Sequence, residues 1–294
     1  MSDRNCPSIA KAVALENLAV VGHTTFFTAI ESLAAEISGI EAAMVWGLFS
    51  RRKTEIRTDP RASVPDGEFV AVVGDLHGRI DLLERLWPMI EDESRRSACR
   101  NRTLIFVGDY VDRGSGSAEV VDRLLQGFEG FNSIFLKGNH DETLLRFLGD
   151  PSVGDVWRNF GGLDTLRSYG IVHPPGRDWA ETRNAFAFAI PEPHVRFFKN
   201  LKTQLTIGDY LFVHAGIKPY VPMEEQAEQD LLWIRDEFLD SRANFGRIVV
   251  HGHTPSSEPV VRHNRIGIDT GAYMSGKLTA LILEGRERKF LATS

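Results

Sequence analysis

The 294-residue chain has only two cysteines, Cys6 and Cys99, and it shows no internal repeat and no low-complexity tract. Two thiols cannot build a disulfide scaffold. With no secretory signal pattern ahead of the body, a reducing cytoplasm is the expected compartment. Long apolar runs are missing too. The longest uncharged apolar stretch near the start, residues 18–30, is broken by His23 and threonines and is too short to cross a bilayer, so no stable membrane insertion is expected. There is no excess of positive charge: 34 Lys and Arg against 40 Asp and Glu leave a net charge of −6, which argues against a general nucleic-acid surface. At 43% hydrophobic and 25% charged residues the composition is that of a soluble protein, and the length suits one large domain or one domain with an appendage.

The chain divides near residue 60. Before it, Phe26, Ile30, Leu33, Ile37, Ile40 and Met44 follow a 4-3-4-3-4 spacing, which places them on one face of a helix. Residues 1–57 are therefore expected to form an N-terminal helical extension packed on the body. A helix-mediated dimer or a peripheral membrane contact is the alternative, the latter through Trp46, Phe49 and Arg51-Arg52-Lys53. Met44 also offers a second start, which would make the first 43 residues a long-form extension. Residues 58–67, with Pro60, Pro65 and Asp66-Gly67, read as a linker to a catalytic domain over 68–294.

From residue 68 the rhythm becomes strand, polar loop, helix. Short apolar runs at 69–73, 103–107 and 133–136 read as strands covered on both faces. The first two are followed by helical spacings, through Leu82, Leu83, Leu86 and Trp87 as far as Pro88, and through Val120, Val121, Leu124 and Leu125. Two successive β-α-β units put these strands parallel in one sheet, with their loops gathered at the carboxyl ends. Later runs at 205–207, 211–213, 248–250, 266–268 and 278–283 read as a second, mixed sheet packed on the first. The expected class is α/β, two β-sheets packed as a sandwich and flanked by helices. Residues 144–197 form helices and loops beside the cleft, where they could decide substrate choice.

Five of the loops carry chemistry. They are Gly74-Asp75-Leu76-His77-Gly78, Gly108-Asp109-Tyr110-Val111-Asp112-Arg113-Gly114, Gly138-Asn139-His140-Asp141, Val213-His214-Ala215-Gly216 and His251-Gly252-His253-Thr254-Pro255. A lone Gly-Asp after a strand is usually a turn; five such motifs in series are not explained that way. Asp75 and His77 stand two apart and can reach one cation, the Asp109 carboxylate can bridge two ions, Asn139 offers a carbonyl oxygen, and His214 and His253 offer imidazole nitrogens. An oxygen and nitrogen set without thiolate suits Mn, Fe or Zn better than Ca and argues against a structural zinc. Two ions about 3.5–4 Å apart can clamp a phosphate and activate a water.

These motifs, GDLHGR, GDYVDRG, KGNHD, a histidine after a late strand and GHTP, resemble those of the phosphoprotein phosphatase family, most closely its bacterial and phage branch. The similarity covers residues 68–284 and implies the α/β/β/α metallophosphoesterase fold. It implies that Asp75, His77 and Asp109 hold a first metal, with Asp109 bridging, and that Asn139, His214 and His253 complete a second. It implies two divalent ions, Mn2+ foremost, with Fe or Zn as alternatives. Arg113 would hold phosphate oxygens, and Arg235, in Leu231-Leu232-Trp233-Ile234-Arg235-Asp236, falls where the family has a second phosphate-binding arginine. His140 would be the general acid and Asp112 its orienting partner. The implied reaction is direct attack by hydroxide held on the metals, without a phosphoenzyme. In agreement, neither cysteine begins a Cys-x5-Arg loop, and no Asp-x-Asp motif occurs.

The substrate expected on this reading is a phosphoprotein or a small phosphorylated compound, with serine/threonine phosphatase activity foremost. A symmetrical diadenosine tetraphosphate hydrolase is the main alternative, supported by His214-Ala215-Gly216-Ile217, and an inactive regulatory binding domain is the third. His251 is expected to pack behind the site rather than to bind metal. His23, His173, His194 and His263 are expected on the surface or in structural roles. Gly271 to Lys277 imitates a phosphate-binding loop but has Leu278 where serine or threonine is required.

Overall fold

The computed structural model describes residues 61–293. The expected N-terminal helix, with its dimer or membrane contact, and the first residues of the linker lie outside the described residues. Residues 61–67 lie along the sandwich: Ala62 and Val64 are buried in its core, Val64 N–H donates to the Gly285 carbonyl at 2.9 Å, and Ser63 N–H to Asp209 Oδ2 at 2.9 Å.

Among the described residues, ten strands form two five-stranded sheets. The first has the order β10-β9-β1-β2-β3, with β1 (Glu68–Val73), β2 (Asn101–Phe106), β3 (Asn132–Phe135), β9 (Thr279–Glu284) and β10 (Glu287–Ala292). The second has the order β4-β5-β6-β8-β7, with β4 (Gln204–Ile207), β5 (Tyr210–Val213), β6 (Ile248–His251), β7 (Val260–Val261) and β8 (Arg265–Gly267). Strands β1, β2 and β3 are parallel, as the β-α-β rhythm requires, and Val73 stands opposite Phe106.

The continuous apolar character of the strands follows from burial on both faces. In β1, Val70 and Val72 join Phe212, Val250 and Ile268 between the sheets, whereas Phe69, Ala71 and Val73 face the helices. The outer face of the first sheet is covered by α1 (Ile80–Arg96), α2 (Ser117–Gln126) and α3 (Asn139–Gly149), among others. The outer face of the second sheet packs Leu211, Val213 and Val249 against α8 (Glu228–Trp233) and α9 (Asp236–Leu239). Between α3 and β4 lie α4 (Gly154–Asn159), α5 (Gly162–Ser168), α6 (Trp179–Ala189) and α7 (Glu192–Lys199), and α10 (Ala272–Ser275) precedes β9. Among the described residues no helix is long and apolar enough to cross a membrane.

Two expectations are corrected. The apolar run at 278–283 reads as part of the second sheet, but β9 pairs antiparallel with β1 in the first, Val70 opposite Leu283. The reason is two-sided burial: Leu281 and Leu283 enter the inter-sheet core while Ala280 and Ile282 face the helices, an environment the first sheet provides beside β1. Helical spacing also predicted that the first helix stops at Pro88, yet α1 continues to Arg96 with Pro88 inside it. A proline there forfeits one hydrogen bond to the preceding turn. Burial of Ile90 and Ser94 on the same face as Leu82 and Leu86 outweighs that loss.

Candidate active site

The loops after β1, β2, β3, β5 and β6 converge, and their backbones are held in unusual shapes. Among the described residues six non-glycine positions have positive φ, and five belong to these loops: His77 (45°), Asp109 (55°), Asp112 (71°), Arg113 (71°) and His253 (64°). Each such residue costs about 1–3 kcal/mol unless its surroundings fix it, and such strain clusters at functional sites. Glycines permit the close approach. A Cβ on Gly108 would lie 2.6 Å from Gly138 N, and one on Gly138 would strike Asp109 Oδ1.

All ten residues singled out in the sequence come together here. Asp109 is central: its Oδ2 is 3.5 Å from His77 Nε2 and 3.9 Å from His140 Nε2, and its Oδ1 is 3.4 Å from His214 Nε2. The Asn139 amide oxygen lies 2.9 Å from both His214 Nε2 and His253 Nδ1. Asp75 Oδ2 accepts the His253 N–H at 2.9 Å, while Asp75 Oδ1 and His253 Nε2 are buried without a partner. Two compact groups could each hold a cation, His77–Asp109–His140 and Asp109–His214–His253. His140 stands in the first group where the sequence points to Asp75; its Nδ1 is engaged by Asp112, and its Nε2 faces Asp109 and Arg113.

The hydrogen bonds set the imidazole tautomers. His214 Nδ1–H donates to the Val107 carbonyl at 2.8 Å, and His77 Nδ1–H donates to the Val111 carbonyl at 2.9 Å. Each ring then presents an Nε2 lone pair to the cleft. His214 Nε2 faces two oxygens, of Asn139 and Asp109, so this spot calls for positive charge between them, a proton or a cation. The proton affinity of this spot shows the same demand: burial alone would lower His214, but the Asp109 and Asp75 carboxylates raise it to about 9. Burial pushes His77 down to about 3 and, with His214 adding, His253 down to about 2, so both rings are neutral donors. Burial, then the Asp269 and Asp109 charges, raises Asp75, and burial followed by Asp109 raises Asp141 to about 7. Buried carboxylates crowded in this way fit a pair of divalent ions.

A second constellation lies beside the first. His140 Nδ1–H donates to Asp112 Oδ2 at 2.7 Å, and burial, which would lower His140, is outweighed by Asp109 and Asp112, which raise it. The Arg113 guanidinium places Nη1 3.1 Å from His77 Nε2 and Nη2 3.2 Å from His140 Nε2, with its carbon 4.5 Å over the Tyr273 ring. Arg235 reaches Thr254 Oγ1 at 3.4 Å, next to His253.

Residues 70–278 match the family profile described as Calcineurin-like phosphoesterase. The chain belongs to that family. This phosphoesterase is accordingly metal-dependent, and the family builds its site on two metal ions. Among curated relatives, it is 26% identical over 229 residues to a bis(5'-nucleosyl)-tetraphosphatase PrpE [asymmetrical] of Anoxybacillus flavithermus, which covers 71% of this chain and 88% of that protein. Its identity to the Bacillus subtilis protein of the same description is 25%, over the same shares of the two chains. Among solved structures, the phosphoesterase resembles one provisionally described as a diadenosine tetraphosphatase, with a TM-score of 0.54 and 21% identity, covering 82% of this chain and 98% of that chain.

Several supporting residues of the phosphoesterase escaped the sequence reading. Asp141 ends a quoted motif and carries its own signal, an acid in the first turn of α3. Its carboxylate accepts backbone N–H groups from Asp109, Tyr110 and Gly138 at 2.9, 3.1 and 2.8 Å. Trp157 and Thr165, which hold Asp112, are far away in sequence and had no local signal. His251 packs behind the site as expected: its Nδ1–H donates to the Gly252 carbonyl at 3.0 Å and its Nε2 accepts from Arg265 Nη1 at 3.3 Å. His194 is buried between Tyr169 and Asp122.

Proposed function

We propose that the protein is a phosphomonoesterase of the serine/threonine protein phosphatase type. In this reading Asp75, His77 and Asp109 hold one divalent ion, and Asp109, Asn139, His214 and His253 hold the other. When bound, the ions supply positive charge for the phosphoryl oxygens and an activated water. The chain's own residues do the rest. Arg113, whose two terminal nitrogens stand beside His77 and His140, and Arg235, beside Thr254, offer planar forks for phosphate oxygens. His140 presents Nε2 to the cleft and can hand its proton to the leaving oxygen, while Asp112 holds Nδ1–H and stabilises the charged ring.

The observation that carries the ester reading is the His140–Asp112 pair. A serine alkoxide is a poor leaving group and needs a proton, whereas a phosphate chain released from an anhydride leaves readily as an anion. The names of the relatives support a second reading, hydrolysis of a dinucleoside tetraphosphate, and in the asymmetrical rather than the symmetrical mode that the sequence suggested. One comparison decides between them. Metal-loaded protein is given a phosphoserine peptide, a phosphotyrosine peptide and diadenosine tetraphosphate, with Asp75→Asn as the blank. The highest kcat/KM is expected on phosphoserine, with a loss of about 10²–10⁴-fold in His140→Asn. A strong preference for the dinucleotide, releasing ATP and AMP, would establish the second reading instead.

A further inference from the structure

We propose that the α4–α5 turn is a positioning brace for the proton donor, in which Trp157 and Thr165 lock the Asp112 carboxylate against His140. The inference rests on the reading of His140 as the general acid and assigns a catalytic purpose to part of the segment expected to govern substrate choice.

The need for a brace is visible in the backbone. Asp112 and Arg113 are consecutive, non-glycine residues at φ 71° each, a pair that would relax to an ordinary conformation if nothing held it. Thr165 holds it at two points with one oxygen: Oγ1 accepts the Asp112 N–H at 2.8 Å and its hydroxyl donates to Asp112 Oδ1 at 2.6 Å. The Trp157 indole N–H lies 3.0 Å from Asp112 Oδ1 and 3.1 Å from Oδ2, so it bridges both oxygens and opposes rotation of the carboxylate. His140 takes the remaining direction on Oδ2. The turn grips the next residue as well: Gly161 carbonyl accepts the Arg113 N–H at 3.4 Å, and a Cβ on Gly161 would lie 2.7 Å from Arg113 N.

Ser117 Oγ shares the Asp112 N–H at 3.2 Å, while the carboxylate oxygens themselves are held by Trp157, Thr165 and His140. Asp112, Trp157 and Thr165 are each 0% exposed, so solvent does not reach the carboxylate. The indole is wedged between Phe147 (4.7 Å between ring centres) and Phe186 (5.7 Å), and it lies flat against Gly162, where any side chain would strike it. A buried indole must find an acceptor for its N–H wherever it lies. This one directs its only polar atom at the partner of the proton donor.

The test uses the metal-loaded full chain and two esters that differ in their need for a proton: a phosphoserine peptide, with an alkoxide leaving group, and p-nitrophenyl phosphate, whose leaving anion is already stable. Trp157→Phe and Thr165→Val should each lower the ratio of kcat on the peptide to kcat on p-nitrophenyl phosphate about tenfold, with KM changed less than about twofold. Thr165→Ser should restore the ratio, and the double variant should lose little more than the larger single loss, because both act through Asp112. Equal losses on the two esters, an unchanged ratio, or no rescue by serine would overturn the brace. Should Thr165→Val fail to fold, Trp157→Phe, which keeps the ring in the core, decides. His140→Asn is measured in parallel. If it changes the ratio and Trp157→Phe does not, the brace fails and the donor stands; if His140→Asn leaves the ratio unchanged, the reading beneath it fails.

Discussion

Gly252 has an ordinary backbone, so alanine costs nothing in φ there, yet a methyl group at that position would fall on Asp75 Oδ1. Val107 Cγ2 would stand 2.8 Å away on another side, so the loop cannot simply tilt to make room. The obstacle that yields is the Asp75 carboxylate, the far end of a short side chain, which must retreat by about 1 Å. A retreat of that size costs the fold little but places the oxygen outside bonding distance of a metal at about 2.0–2.2 Å, and misplacement by about 1 Å costs about 100-fold in rate. Gly252→Ala is therefore expected to keep its melting temperature under chelation, to lose metal at the Asp75–His77 position in elemental analysis, and to turn over p-nitrophenyl phosphate about 100-fold more slowly. Gly149→Ala, where an added Cβ meets nothing within 4 Å, is the silent control. Full metal content with a near-normal rate in Gly252→Ala would refute the placement of Asp75 in the site.

Three further outcomes are expected. Chelation should abolish turnover and lower the melting temperature, because ligands that bind only the folded state stabilise it by about 3–4 kcal/mol at 100–1,000 times Kd; Mn2+ should restore both, and undiminished activity without metal would sink the site. Asp141→Ala strands three buried N–H groups, each costing about 1–3 kcal/mol, so urea unfolding should register a loss of about 3–9 kcal/mol, and a loss below about 1 kcal/mol would refute its structural role. Burial and the Arg265 charge push His251 down to about 3, from an ordinary value near 6.5. A histidine lowered in the folded state contributes stability that is complete above about pH 6.5 and is lost as pH falls towards about 3. Melting temperatures of chelated protein should drop across that window less steeply in His251→Gln than in the parent, and parallel curves would exclude the effect.

Much of this arrangement was legible in the chain because strand and loop chemistry are local. A run such as 69–73 announces a strand by its own composition, and the polar residues that follow must then sit at its carboxyl end, so Asp75, Asp109, Asn139 and His214 could be placed without knowledge of the rest. Long-range partners left no such trace. Trp157 and Thr165 meet Asp112 across 45 and 53 residues, and an indole in a helical stretch looks like any core residue until its N–H is seen to point at a carboxylate. The sheet position of β9 was hidden for a related reason. An apolar run reveals that a strand is buried on both faces but not which neighbour it joins. At Pro88 the local rule was outweighed by burial further along the helix.

The place of β9 between β1 and β10 has a consequence for how the molecule is made. The strand that carries Asp75 is among the first elements of the domain to leave the ribosome, but one of its two neighbours is encoded some two hundred residues later. Until residues 279–284 emerge, one flank of β1 has an unpaired row of N–H and C=O groups, and Val70 and Val72 lack Leu281 and Leu283 beside them. The first sheet closes only once β9 has been synthesised, and until then β1 presents an open edge. A chain cut short before residue 279 would retain all ten site residues but leave β1, which leads into Asp75, unpaired on one flank.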